Sequence, residues 1–143
     1  MVYSEILVHV LTFMYPRAPG AAFNFDHYFK THLPLGAGLA RKHLEIAVSK
    51  MIVQTVRAPE EGGLEAPYYV LCHVPFETRE EADRLATLFA NDEARRRLSE
   101  DWPKYTPISP IAMLSEWTVL ENMDELRARF VSDLEPRNKA RAP

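Results

Sequence analysis

Apolar residues occupy both parities of the first well-marked segment. Ser4-Glu5-Ile6-Leu7-Val8-His9-Val10-Leu11-Thr12-Phe13-Met14 is rich in β-branched side chains and ends toward Pro16 and Gly20, as a strand does. Ile6, Val8 and Val10 point to one side and Leu7, Leu11 and Phe13 to the other, so neither face is built for water. A helical period follows. Behind Asn24, a side chain suited to capping, Phe25, Tyr28, Phe29 and His32 recur on one face. Pro34 lacks the N–H that would bond the carbonyl of Lys30 and disfavours helical geometry at Leu33. The pattern therefore predicts a kink or stop there, with a short helix resuming from Leu35 to His43.

Leu44 to Val56 carries Ile46, Val48, Ile52, Val53 and Val56 and reads as a second strand, closing at the loop Ala58 to Gly63. Pro67 to Phe76 is a third. Thr78 with Glu81 forms a capping box, and Ala82, Leu85, Ala86 and Phe89 mark the buried side of the helix it opens. Asp101 to Pro110 contains three prolines and reads as a structured loop, and Ile111 to Leu120 as a fourth strand. Asn122 with Glu125 repeats the capping pattern before Met123, Leu126 and Phe130, which define a C-terminal helix. The tail after Pro136 is expected to be disordered.

The predicted order, strand-helix-strand-strand-helix-strand, is the α+β arrangement called ferredoxin-like, βαββαβ with a four-stranded antiparallel sheet. We divide the chain into a domain over 1–121 and a C-terminal helix with its tail over 122–143. Two helices cover one face of such a sheet, yet the strands are apolar on both. A second copy of the chain is the simplest cover, giving a homodimer through the sheet face. Each Val, Ile or Leu buried there contributes roughly 1.5–3 kcal/mol before ordering costs.

Composition narrows the class. With 143 residues the chain is one domain by length, too short for separate catalytic and cofactor domains. Its formal charge is −3, and the basic run Arg95-Arg96-Arg97 lies among acids from Asp92 to Glu100, which reads as a solvated helix face. No nucleic acid is expected as a partner. One cysteine, Cys72, fits a reducing compartment. The apolar N-terminus carries Glu5 and His9 without a basic lead or a small-residue cleavage site, so it reads as a strand rather than a signal peptide. No window is apolar enough to cross a bilayer, and the expected location is cytoplasmic.

Three stretches resemble the EthD family, which belongs to the dimeric α+β barrel superfamily. They are Phe25-Asp26-His27-Tyr28-Phe29-Lys30-Thr31-His32-Leu33-Pro34-Leu35, similar to the family's aromatic helix ending in His-x-Pro-Leu; Pro67-Tyr68-Tyr69-Val70, leading to a helix opened by Thr78 and two acids; and Asp101-Trp102-Pro103-Lys104-Tyr105-Thr106 before the last strand. Together they span Tyr3 to about Leu120. The C-terminal helix departs from the family, whose members often lack it.

No metal site is expected: His27 and His32 stand five apart, a spacing that does not share an α-helical face, and no His-x-x-x-His or Cys-x-x-Cys occurs. Gly36 and Gly38 lack the strand-to-helix context of a dinucleotide fingerprint, so no cofactor is expected either. What remains is acid–base chemistry by side chains. His32, on the aromatic face beside Pro34, would be partly desolvated and neutral, fit to act as a base; its other reading is a buried imidazole bonding a freed carbonyl or the Asp101 loop. Asp101 is a candidate carboxylate partner for it, or an Asx-type turn residue, the plainer reading. Tyr105 offers a phenol for proton donation, or an aromatic pinned on the core.

His9, His73 and Glu116 become neighbours if registers agree, as a polar patch in the dimer interface or as a pocket lining. Cys72 reads as an inert buried thiol. Phe13, Tyr28, Tyr69 and Trp102, with Tyr105, would give a pocket a ring-lined wall suited to a flat, hydrophobic, oxygenated ligand, or would only fill the core.

The resemblance implies a cofactor-independent lyase, dehydratase, isomerase or cyclase acting on a small aromatic, polyketide-like or lactone compound, with His32 as base and Tyr105 or Tyr69 stabilising the oxyanion. Two alternatives stay open: a cofactor-free oxygenase on the same scaffold, and a non-catalytic binding or accessory protein of a degradation pathway. A pocket of a few hundred cubic ångströms containing His32 would favour catalysis, and a filled interior the accessory role.

Overall fold

A computed structural model describes residues 5–57 and 66–134. The loop expected from Ala58 to Gly63 and the tail after Pro136 lie outside the described residues. The strands are β1 (Glu5–Pro16), β2 (Ile52–Thr55), β3 (Tyr68–Phe76) and β4 (Ile111–Leu120). The helices are α1 (Phe25–His27), which runs through a π-helical turn (Tyr28–His32) into α2 (Leu33–Leu44), then α3 (Arg79–Ala86), α4 (Asp92–Asp101) and α5 (Met123–Phe130). Short 3-10 turns occupy Thr87–Ala90, Trp102–Lys104 and Ser132–Leu134.

The strands form one antiparallel sheet in the order β2-β3-β1-β4, the order a ferredoxin-like chain requires. Register sorts the two faces. Leu11 lies opposite Val74 and Phe13 opposite Cys72, and with Tyr15 these residues meet the helices in the main core. Val10 opposite Pro75 and Thr12 opposite His73 belong to the other face, outside the helix-packed core. There Val10 and Thr12 are covered by neighbouring strands, but Ile6, Ile111, Met113 and Val119 are 41–50% exposed. The two-sided apolarity of β1 thus has one face in the core and one face still open.

Three local features differ from the sequence expectation. Pro34 does not stop the helix. The turn before it widens to π geometry, with the Leu33 N–H bonded to the Tyr28 carbonyl, and the chain continues into α2. A π turn relaxes the fourth-residue bonding register just where proline has no N–H to give. Only Ile52–Thr55 of the expected second strand pairs with β3. Glu45 ends α2 in the left-handed region at φ 56°, its N–H bonded to the Arg41 carbonyl, and residues 46–51 run unpaired to the sheet edge.

The third is α4. Its Arg95, Arg96 and Arg97 are solvated as expected, but the stretch is a full element capped by Asn91, with Ala94, Leu98 and Asp101 facing inward. Only three inward positions among ten left little apolar periodicity to read. The Lys42 ammonium and His43 ring hold Glu93 at 2.7 and 3.1 Å, fixing α4 against α2 and lowering that carboxyl to about 2. Beyond β4, α5 begins at its predicted Asn122 cap, with Met123 55% and Phe130 69% exposed.

Candidate functional site

The π turn sets the geometry of the site. Residues five apart in such a turn align as residues four apart do in an α-helix, so His27 and His32 come to one side after all. Both rings reach Asp101, the last residue of α4. His27 Nε2 lies 2.9 Å from Oδ1 and His32 Nδ1 2.9 Å from Oδ2. Asp101 makes no capping bond to the turn after it, so the Asx-turn reading is corrected: its carboxylate is occupied by the two imidazoles, with the Lys104 ammonium 3.8 Å from Oδ1. Because each ring nitrogen meets its own oxygen, the three groups converge on the carboxylate and not on a common ion position. Among the described residues no His, Cys, Asp and Glu group is arranged to hold a metal.

Backbone contacts lock this arrangement. Asn24 caps α1 by accepting the His27 N–H at 3.1 Å, while its own N–H donates to the Tyr105 carbonyl at 2.8 Å. Tyr105 then lies beside both histidines, 4.5 Å from the His32 ring and stacked 6.0 Å from that of His27. Tyr28 stacks on His32 from another side, at 5.9 Å. An imidazole so enclosed loses hydration. Burial lowers the pKa of His32, outweighing the bond to Asp101 that raises it, and the ring is neutral at physiological pH. Burial acts against the Asp101 carboxylate, yet the hydrogen bonds from His27 and His32 outweigh it and hold that group below its usual range. With Asp101 accepting from Nδ1–H, Nε2 of His32 is left as the basic nitrogen.

His32 borders a cavity of about 60 Å³ between sheet and helices. Phe13 and Trp102 line it, together with Tyr15, Cys72, Phe89 and Met51. Tyr28 is fully buried beneath the lining. Tyr69 is elsewhere: its hydroxyl donates to the Ala21 carbonyl at 2.9 Å and accepts the Ala18 N–H, and the Arg17 guanidinium covers its ring, so it secures the 17–21 loop and is corrected as a wall residue. Tyr105 also stays outside the lining, its hydroxyl donating to that of Tyr15 at 3.1 Å. The cavity is smaller than the few hundred cubic ångströms anticipated, room for a compact molecule.

His9, His73 and Glu116 do not form one cluster. His9 and Glu116 are cross-strand partners 3.8 Å apart on the helix-covered face, whereas His73 lies on the open face, bonded to Thr12 at 2.9 Å and Gln54 at 3.0 Å, with Trp117 against its ring. The parity of β1 separates them, since positions 9 and 12 point to opposite sides. Cys72 is buried and its thiol is pushed up by burial, as an inert thiol should be. His27 and Tyr15 are the site residues the sequence reading passed over. The first was set aside by α-helical spacing; the second continues the Leu11 and Phe13 parity, one residue beyond the expected strand end.

The fold is shared with a solved structure. An EthD-like protein from Ralstonia eutropha JMP134 superposes with a TM-score of 0.58 at 19% identity, covering 77% of this chain and 91% of that one, and the ferredoxin-like expectation is borne out. An ethyl tert-butyl ether D (EthD) family protein from Bacillus halodurans C-125 gives a TM-score of 0.46 at 21% identity over 77% of this chain and 97% of its own. A dimeric protein of unknown function with a ferredoxin-like fold from Bacteroides fragilis NCTC 9343 gives 0.39 at 8% identity, over 78% and 96%. No family model and no curated protein matches the chain. No helix among the described residues is long and apolar enough to cross a membrane.

Proposed function

We propose that this chain is an EthD-type protein that removes a proton beside a carbonyl group using its own side chains, with Nε2 of His32 as the base. One observation carries the reading: a desolvated imidazole, its pKa lowered by burial, is held by a carboxylate through Nδ1 and borders an apolar cavity. Asp101 fixes the tautomer and stabilises the imidazolium that forms. His27, on the other carboxylate oxygen, is a positioning residue.

Isomerisation, dehydration or cyclisation of a small carbonyl or lactone compound fits this base. The 60 Å³ cavity favours compact substrates; a single ring enters only if side chains such as Met51 yield, as flexible methionines do. The active form in this reading is a homodimer through the open sheet face, in the reducing cytoplasm that a lone cysteine suits.

Proton–deuteron exchange tests the base directly. Acetone, cyclopentanone and a butenolide are incubated with the protein in D2O, and loss of the α-proton signal is followed by NMR. The wild type is expected to exchange at least one of them, and His32→Gln to slow that exchange by about 100-fold or more. An unchanged rate in a folded His32→Gln protein rules the base out.

A further inference from the structure

Apart from His32, the cavity-lining residues that carry a hydroxyl, thiol or indole N–H are Tyr15, Cys72 and Trp102. Tyr15 sits at the end of β1 on the Leu11 and Phe13 side and is 2% exposed. Tyr105 closes on it from behind. The Tyr105 hydroxyl has no other recorded acceptor among the described residues, while Tyr15 borders the cavity. The Tyr105 hydroxyl donates to the Tyr15 oxygen, which leaves the Tyr15 hydrogen available to a ligand in the cavity that Tyr15 lines. Next to them, the fully buried Tyr28 hydroxyl faces Tyr15 and Cys72 without a hydrogen bond of good geometry. Tyr28 lies outside the lining, so Tyr15 is the member of this cluster that a ligand oxygen in the cavity can meet.

We infer that Tyr15 is the second catalytic residue of this site, donating its phenolic hydrogen to the carbonyl oxygen of a compact enolisable ketone or lactone. The assignment rests on the reading of His32 as base. The α C–H bond breaks and its proton goes to Nε2. The bonding pair moves onto the carbonyl oxygen, which Tyr15 holds as an enolate backed by Tyr105. Return of the proton from Nε2 to the same carbon gives exchange, and return to a conjugated γ-carbon gives the isomer, so the step needs no oxidant, reductant or further reactant. Among these three edge-packed and tilted phenols, Tyr15 is the readiest to share its proton. Burial raises it to about 12 against the lowering effect of the hydrogen bond from Tyr105, and the other two are pushed higher still.

Phenol, whose ring and hydroxyl imitate an enol, is the probe. It is titrated by ultraviolet difference spectroscopy against wild type, Tyr15→Phe and Tyr105→Phe, each verified as folded by its melting transition. The wild type is expected to bind phenol and Tyr15→Phe to bind about tenfold more weakly. Ketone exchange is expected to fall about 100-fold in Tyr15→Phe. If Tyr15→Phe does not fold, a several-fold loss of phenol affinity in Tyr105→Phe, which strips the donor behind Tyr15, supports the same assignment. Equal affinity in Tyr15→Phe, or no phenol binding by the wild type, overturns it. Phenol bound through Tyr15 with no exchange of any ketone would instead remove the His32 base and leave the Tyr15 hydrogen bond standing.

Discussion

His27 and His32 close on opposite oxygens of one carboxylate, each at 2.9 Å, because a π-helical turn lies between them. Asp101 is therefore both a clamp joining α4 to the first helix and the partner that sets the His32 tautomer. Asparagine in its place keeps one acceptor and turns an NH2 group toward the other ring. Asp101→Asn is expected to lose about 2–4 kcal/mol of stability, since one buried donor loses its charged acceptor. Urea denaturation measures it. A loss below about 0.5 kcal/mol would mean the carboxylate is not the clamp described.

The Tyr28 hydroxyl is the opposite case, a buried polar group with no hydrogen-bond partner among the described residues. Removing such a group relieves a desolvation cost while leaving the ring to pack. Tyr28→Phe is expected to be neutral or to gain up to about 1 kcal/mol, read as an unchanged or higher melting temperature. A loss above about 1 kcal/mol would show that the hydroxyl is bonded to Tyr15 or Cys72 in solution.

Acid should weaken the fold through two histidines. His32 and His73 both sit below the ordinary imidazole value of 6.5, lowered by burial. Unfolded, each takes a proton near that value; folded, each takes it only at lower pH. The unfolded state then binds more protons, so stability is complete above pH 6.5 and falls as pH drops from there through the folded values. Asp101, held below 3.8, adds a loss of the same sign in stronger acid. The urea midpoint is expected to fall between pH 7.5 and 5.5, and His73→Gln to shrink that fall. An identical fall in the variant would place the effect on other groups.

How much of this could be read beforehand follows from the range of each signal. Strand β4 spans Ile111–Leu120 as its β-rich run indicates, and the Asn24, Thr78 and Asn122 caps each accept the N–H expected of them, because both signals are local. His32, Asp101 and Tyr105 meet although 69 positions separate the histidine from its carboxylate. Only the resemblance to a family pattern could place them together. His27 was beyond reach because a π turn has no apolar period distinct from that of an α-helix, and the short β2 because a left-handed Glu45 ends the preceding helix without a glycine to announce it.

The open sheet face makes its own prediction. Ile6, Ile111, Met113 and Val119 expose apolar surface around the covered Thr12–His73–Gln54 chain. If a second copy packs there, a charge in its middle is desolvated without a partner. Met113→Lys is expected to convert a dimer at micromolar concentration into a folded monomer by sedimentation velocity, with its far-ultraviolet circular dichroism retained. A wild-type monomer, or a variant still dimeric, would count against this face as the contact.

Gly36 sets stability against use of the cavity. It lies inside α2 and borders the cavity, and a Cβ added there meets only Leu98 Cδ2, at 4.0 Å, an ordinary contact. A helix-interior glycine costs about 0.5–1 kcal/mol relative to alanine through the freedom it must give up, and nothing in the backbone here requires one. Gly36→Ala should therefore gain about that much, and the new methyl narrows a space of only about 60 Å³. Ketone exchange and phenol affinity are expected to fall as the melting temperature rises. Were both to rise together, or were the variant less stable, the glycine would owe its place to the backbone and the cavity would not be where ligand binds.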